Sequence, residues 1–266
     1  MFDYHIHSKF SADCNTAMET TIEKAINIGL EEICFTDHID YDYPDEDWIF
    51  EFDLNQYDKK IKEMQEKYAE KIRIKKGVEI GVQPHLSAKH KDLMNQETFD
   101  FVICSMHASE RKDLHSGEFF KNRTVEEAYG IYYKELYECI KDFKDFHVLG
   151  HIDLVKRYTK EKSKENFHDI IGDIFKEIIP EGKGIELNTS GFRYGLESGM
   201  PSIDIFKLYK KCGGEIVTLG SDSHVETTLA YKFHESLELL QSIGLNYIAT
   251  YQNGEPVFHK ISTLLK

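Results

Sequence analysis

The histidines of this chain fall at spacings that suit metal binding. In Asp3-Tyr4-His5-Ile6-His7 two imidazoles stand two residues apart inside a strand-like run, and alternate residues of a strand project to one face. Asp3, His5 and His7 are therefore expected to point the same way. Comparable endings recur along the chain. Asp37-His38 closes EEICFTDH, Glu79 lies at the end of IRIKKGVEI, and His107 closes FDFVICSMH. His151 and Asp153 close FHVLGHID, and Asp222 and His224 close EIVTLGSDSH. With only 13 histidines among 266 residues, six such endings argue for one shared cluster rather than scattered structural histidines. The candidate metal ligands are His5, His7, Asp13, His38, Glu79, His107, His151, Asp222 and His224. Imidazole and carboxylate without thiolate suit zinc, manganese or iron. Nine donors overfill one coordination sphere and suit two or three divalent transition metals that share a bridging carboxylate. Such clusters serve hydrolysis, because a metal-bound or bridging water becomes hydroxide near neutral pH and the ions neutralise phosphoryl oxygens.

The elements that must carry these residues alternate regularly. Strand candidates at 2–7, 31–38, 72–80, 99–107, 146–153, 184–188 and 215–224 are separated by helix-period segments at 18–30, 55–71, 125–143, 169–179, 202–213 and 227–244. The C-terminal stretch LNYIATYQNGEPVFHKI reads as a strand, a turn at Asn253-Gly254 and a final strand or helix. Unbroken strand–helix alternation predicts a parallel α/β fold, and seven or eight units in this length fit a (β/α) barrel. In a barrel the strand ends meet on one face, so the cluster has a place to form. No glycine pattern of a dinucleotide or P-loop site is present.

Composition narrows the partners. The net charge of −14 disfavours a surface that gathers phosphate backbones, so nucleic acid is not expected as a partner. No run approaches the roughly 20 apolar residues of a membrane span, and the N-terminus lacks a signal-peptide pattern. Five scattered cysteines without a C-x-x-C pair predict a reduced, cytoplasmic protein, with Cys34 and Cys104 as buried packing residues. No linker or repeat divides the chain, so residues 1–266 are expected to form a single domain, and the sequence sets no oligomeric state.

Taken in order, D-x-H-x-H at 3–7, T-D-H at 36–38, G-V-E at 77–79, S-M-H at 105–107, G-H-I-D at 150–153 and S-D-S-H at 221–224 resemble the motifs of the PHP (polymerase and histidinol phosphatase) family. The resemblance implies a distorted seven-stranded (β/α) barrel with a trinuclear metal site. It assigns His5, His7, Glu79 and Asp222 to one ion, the bridging Glu79 with His107 and His151 to a second, and Asp13, His38 and His224 to a third. Aspartate at position 13, FSADC at 10–14 and the arginines of GHIDLVKRY and ELNTSGFRYG resemble the histidinol-phosphatase branch. The implied activity is hydrolysis of a small phosphorylated metabolite, histidinol phosphate, in histidine biosynthesis through a metal-bridging hydroxide. Glu79 and Asp222 would be the catalytic residues, with Arg157 and Arg193 on the phosphate. Nucleotides, oligonucleotides or phosphotyrosine are the alternative substrates, and a non-catalytic metal-binding module is the alternative class. The acidic, aromatic loop 41–53 can cap the pocket or simply be solvated. Asp3, Asp37 and Asp153 are expected to orient ligand imidazoles. His85, His90, His115, His147, His168, His234 and His259 are read as structural or exposed.

Overall fold

A computed structural model describes residues 1–266. Seven parallel strands follow one another in both sequence and space: β1 (Phe2–Ile6), β2 (Glu32–Phe35), β3 (Arg73–Gly81), β4 (Phe101–Ser105), β5 (Val148–Leu149), β6 (Gly184–Asn188) and β7 (Val217–Gly220). The two edges nearly meet. Ile6 bridges Ser223, the His7 amide donates to the Ser223 carbonyl at 2.9 Å, and the Asp222 amide donates to the His5 carbonyl at 2.8 Å. The result is a nearly closed barrel with helices outside it.

Each strand is fully buried or nearly so because it has a side-chain layer on both faces. Inside and around it, 63 buried residues form one continuous hydrophobic cluster, which includes Cys34 and Cys104. The principal outer helices are α1 (Met18–Asn27), α2 (Leu54–Tyr68), α3 (Ser87–Gln96), α4 (Val125–Asp142), α5 (His168–Ile178), α6 (Ile203–Lys211) and α7 (Phe233–Ser242). Asp53 caps α2 by accepting from the amides of Asn55 and Gln56, and Thr124 with Glu127 forms a reciprocal capping box on α4, each satisfying amides that have no partner inside the helix. No helix is long and apolar enough to cross a membrane.

Where the strands are shorter than the sequence pattern predicts, the missing residues build the site. The apolar run 31–38 is interrupted at Thr36–Asp37, and pairing with β3 resumes at His38–Ile39, which sets His38 opposite Glu79. Of 146–153 only Val148–Leu149 stay paired, and the chain then turns into a short helical segment, Leu154–Tyr158. The helix predicted from residue 227 begins at Phe233, because Ala230 and Lys232 adopt left-handed backbone angles. Helix α3 escapes the hydrophobic pattern because it buries only His90 and Leu93.

The C-terminal residues form a β-hairpin, Tyr247–Gln252 with Glu255–Lys260, that closes the end of the barrel opposite the strand tips. Tyr251 donates its amide to the Tyr4 hydroxyl at 3.0 Å and packs its ring 4.6 Å from His147 and 5.1 Å from Phe101. His147 accepts the Val102 amide on Nδ1 at 2.9 Å, which requires that nitrogen to be unprotonated. Burial, with Lys183 nearby, lowers its pKa to about 4, and burial does the same to His90. Both groups are depressed, so the stability they confer is present above the ordinary histidine pKa and is lost as the pH falls towards 4. The melting temperature should therefore drop between pH 7 and pH 5. His147→Asn, whose carbonyl can still accept the Val102 amide, should shrink that drop, whereas an unchanged pH dependence would exclude His147 as a source.

Candidate metal centre

The nine expected donors converge at the C-terminal ends of the strands, around one carboxylate. Glu79 is fully buried, and its two oxygens face different partners. Oε2 lies 3.1 Å from His5 Nε2, 3.5 Å from His7 Nε2 and 3.1 Å from His38 Nδ1. Oε1 lies 2.9 Å from His151 Nε2 and 3.3 Å from His107 Nε2, and accepts from Ser105 Oγ at 2.6 Å. Asp222 Oδ1 stands 3.4 Å from His7 Nε2 and 3.9 Å from His5 Nε2. At the outer edge, Asp13 Oδ2 lies 3.1 Å from His224 Nε2 and 3.8 Å from His38 Nε2. His38 thus stands between two donor groups, one ring nitrogen towards Glu79 and the other towards Asp13.

Local backbone geometry aims these groups. The strand alternation of β1 puts His5 and His7 on one face, as its spacing requires. Asp222 takes a left-handed backbone angle, φ 53°, which is uncommon for a non-glycine residue and clusters at functional sites. Its amide and carbonyl are both held, by the His5 carbonyl and the Arg193 guanidinium, so the turn is fixed from two sides.

Whether these residues fit a metal can be read from their unmet needs. His5 Nε2, His7 Nε2, His38 Nδ1 and Glu79 Oε2 are buried, mutually adjacent and without hydrogen-bond partners. Leaving one such group unsatisfied costs about 1–3 kcal/mol, and a cation at the point where they converge satisfies all of them together. Electrostatics agrees. Burial opposes charge on His5, yet Glu186, Glu79 and Asp222 outweigh it and raise its pKa well above the usual range. His38 is likewise raised to about 9 against its burial by Glu79 and Asp13. Burial is also overcome at Glu79 and Asp222, which their imidazole neighbours hold well below the ordinary carboxylate range. His7 is the exception: burial and the rings of His224 and His38, stacked 4.1 Å and 4.3 Å away, press it down to about 3. The donor set fits divalent cations.

The PHP domain family model matches residues 3–190. The chain belongs to the PHP family. It is 32% identical over 255 residues to the histidinol-phosphatase of Lactococcus lactis, covering 94% of this chain and 93% of that protein. It is 30% identical to a Clostridium acetobutylicum protein named probable histidinol-phosphatase, covering 92% and 94% respectively. The crystal structure of histidinol phosphate phosphatase from Lactococcus lactis, complexed with zinc, L-histidinol and phosphate, superposes with a TM-score of 0.86 at 30% identity, over 96% of this chain and 98% of that one.

Above the donors of this PHP barrel opens a cavity of about 360 Å³. Tyr43, Asp45, Trp48 and Phe50 of the acidic loop line one side of it, and Arg157, Tyr158 and Tyr194 line another. His115, set aside on sequence as structural or exposed, also lines it, carried there by the loop that follows His107. Arg157 stacks on the Tyr194 ring at 3.2 Å, its Nε is buried without a partner, and its nearest carboxylate oxygen, on Asp222, is 3.9 Å away. Arg193 behaves differently. It donates from Nη1 to the Ser221 carbonyl and from Nη2 to the Asp222 carbonyl, both at 2.8 Å, and it is absent from the cavity lining.

The expected orienting aspartates touch no ligand ring. Asp3 accepts from the amides of Ser221 and Ala230, and Asp153 from Lys156 and the Ser202 amide. Asp37 binds the amides and hydroxyls of Ser8 and Ser11, and only Ser11 Oγ reaches His7 Nδ1, at 3.0 Å. The carboxylates that do meet ligand rings are Glu186, 2.6 Å from His5 Nδ1, and Asp40, 2.6 Å from His107 Nδ1. Asp40 had a visible signal: it follows His38 at the two-residue spacing that separates His5 from His7.

Proposed function

We propose that this chain is a metal-dependent phosphomonoesterase that hydrolyses histidinol phosphate to histidinol and phosphate in the cytoplasm, the whole of residues 1–266 acting as one PHP-type domain. The observation that carries the reading is the convergence of nine imidazole and carboxylate donors beneath a cavity whose wall holds an arginine with unused donors. In this proposal His5, His7, Glu79 and Asp222 hold one ion, Glu79 with His107 and His151 a second, and Asp13, His38 and His224 a third. Zinc, the ion of the Lactococcus complex, suits these donors, and manganese or iron suits them too. Bound there, the ions would lower the pKa of water and neutralise phosphoryl oxygens.

The chain's own groups then have defined tasks. Arg157 and the N–H groups that Arg193 does not commit to Ser221 and Asp222 would clamp the free phosphate oxygens. Water attacks phosphorus in line as the ester P–O bond breaks. Asp222 would take the water's proton only transiently, and that proton passes on to the departing ester oxygen, so that the alcohol leaves neutral and phosphate remains. Zinc-loaded protein should release phosphate from histidinol phosphate far faster than from nucleotides, oligonucleotides or phosphotyrosine. Protein that carries zinc and releases none would overturn the reading.

Asp45 gives a finer test. Among cavity carboxylates outside the nine donors, Asp40 faces His107, and Asp113 accepts from the Tyr43 hydroxyl and two amides. Asp45 accepts only the Asp47 amide, on Oδ1, and so retains an oxygen for a cationic substrate. Loss of a hydrogen bond between charged groups corresponds to roughly a tenfold effect or more. Asp45→Asn should raise KM for histidinol phosphate by that factor and leave p-nitrophenyl phosphate hydrolysis unchanged. Equal effects on both substrates would exclude a role in recognising the cation.

A further inference from the structure

Two buried carboxylates outside the nine donors stand directly behind ligand imidazoles, each in a space that a glycine leaves open. Glu186 Oε1 lies 2.6 Å from His5 Nδ1, and its other oxygen accepts the His151 amide at 3.0 Å and Asn188 Nδ2 at 3.2 Å. Asp40 Oδ2 lies 2.6 Å from His107 Nδ1. Both carboxylates are almost wholly buried. A Cβ on Gly81 would stand 2.3 Å from Asp40 Oδ1, and one on Gly220 would stand 2.1 Å from Glu186 Oε1. No side chain larger than hydrogen is compatible with these carboxylate positions.

We propose that Glu186 and Asp40 are positioning residues that lock His5 and His107 in the metal-binding tautomer, and that Gly81 and Gly220 leave the space that seats them. An ionised carboxylate only accepts hydrogen bonds. In the neutral ring that a metal requires, each Nδ1 must therefore carry the proton, which leaves the Nε2 lone pair free. Those Nε2 atoms are the ones that face Glu79, at 3.1 Å for His5 and 3.3 Å for His107. Asp40 holds a ligand beside one oxygen of Glu79, and Glu186 holds one beside the other while also fixing the backbone of His151. At the outer edge the carboxylates stand farther off: His224 Nδ1 lies 3.2 Å from the Asp222 carbonyl and 3.5 Å from Asp222 Oδ1, and His38 Nδ1 lies 3.7 Å from Asp40 Oδ1. A carboxylate behind a ligating histidine fixes its orientation and raises its basicity, and removing it typically weakens metal affinity 10- to 100-fold.

The inference rests on the metal reading above, and zinc titration of the metal-stripped full chain against a chelating dye separates the two. Failure of the unaltered chain to bind zinc overturns both. If it binds, the near-isosteric Glu186→Gln and Asp40→Asn should each weaken the tightest zinc site about tenfold, with metal-free circular dichroism and melting temperature unchanged. Unaltered zinc affinity in both variants overturns the positioning role while leaving the metal reading intact. A double-mutant cycle tests the glycine. Gly81→Ala alone should weaken zinc binding about as much as Asp40→Ala, yet add nothing in the Asp40→Ala background, where the space is already vacant. Additive effects would show that Gly81 acts otherwise and overturn the seating claim.

Discussion

Replacing Glu79 with alanine should abolish both metal retention and phosphate release. No other side chain meets as many of the donors, since its two oxygens lie within 3.5 Å of His5, His7, His38, His107 and His151. Without it, five imidazoles crowd a buried space with no central anion, and those that carry protons repel any incoming cation. The imidazoles of His5, His38 and His107 owe part of their raised pKa to Glu79, so the loss propagates to every donor group at once. We expect metal content after dialysis to fall below one ion per chain and kcat/KM to fall at least about 1000-fold, on the order of 4 kcal/mol. Glu79→Gln keeps the shape and removes the charge. It should retain the fold and still lose most of the metal, which separates charge from packing. Full metal content and activity in Glu79→Ala would exclude the bridging role.

Much of the barrel and its cluster was legible because the informative signals are local. A strand shows itself through a few consecutive β-branched or apolar residues, and the two-residue spacing of His5 and His7 fixes their shared direction without any knowledge of the rest of the chain. The predicted range 184–188 coincides with β6, and the strand and turn read in the C-terminal stretch match the hairpin, whose second arm takes the strand of the two forms left open. What escaped depends on closure. Glu186 meets His5 across 181 residues, a contact that exists only once β6, β7 and β1 have curled together and Gly220 has left room between them. In sequence Glu186 stands near the end of the sixth strand with Asn188, but nothing there marks His5 as its partner. His115 reaches the cavity only through the path of its loop. The engagement of Arg193 follows from the left-handed turn at Asp222, which exposes two carbonyls that need a donor, and no residue type at those positions announces it.

Arg157 should prove to be the residue that binds what all candidate substrates share. A guanidinium stacked on Tyr194, with a buried N–H that has no partner and no carboxylate within 3.5 Å, is poised for an anion that the protein does not itself supply. Truncating one partner of a buried charge pair costs about 2–5 kcal/mol. Arg157→Ala should therefore lower kcat/KM by roughly 30- to 5000-fold while metal content stays unchanged, since Arg157 belongs to no donor group. Lysine should rescue little, because a compact ammonium cannot reproduce the fork or the stacking. The loss should be equal for histidinol phosphate and p-nitrophenyl phosphate, and inhibition by inorganic phosphate should weaken in parallel. That pattern is the reverse of the one expected for Asp45→Asn, which acts on the cationic substrate alone. The two variants together divide the cavity into a half that reads phosphate and a half that reads the leaving alcohol. A selective loss on histidinol phosphate in Arg157→Ala, with phosphate inhibition intact, would move Arg157 to the alcohol half and leave Arg193 as the arginine for the phosphate.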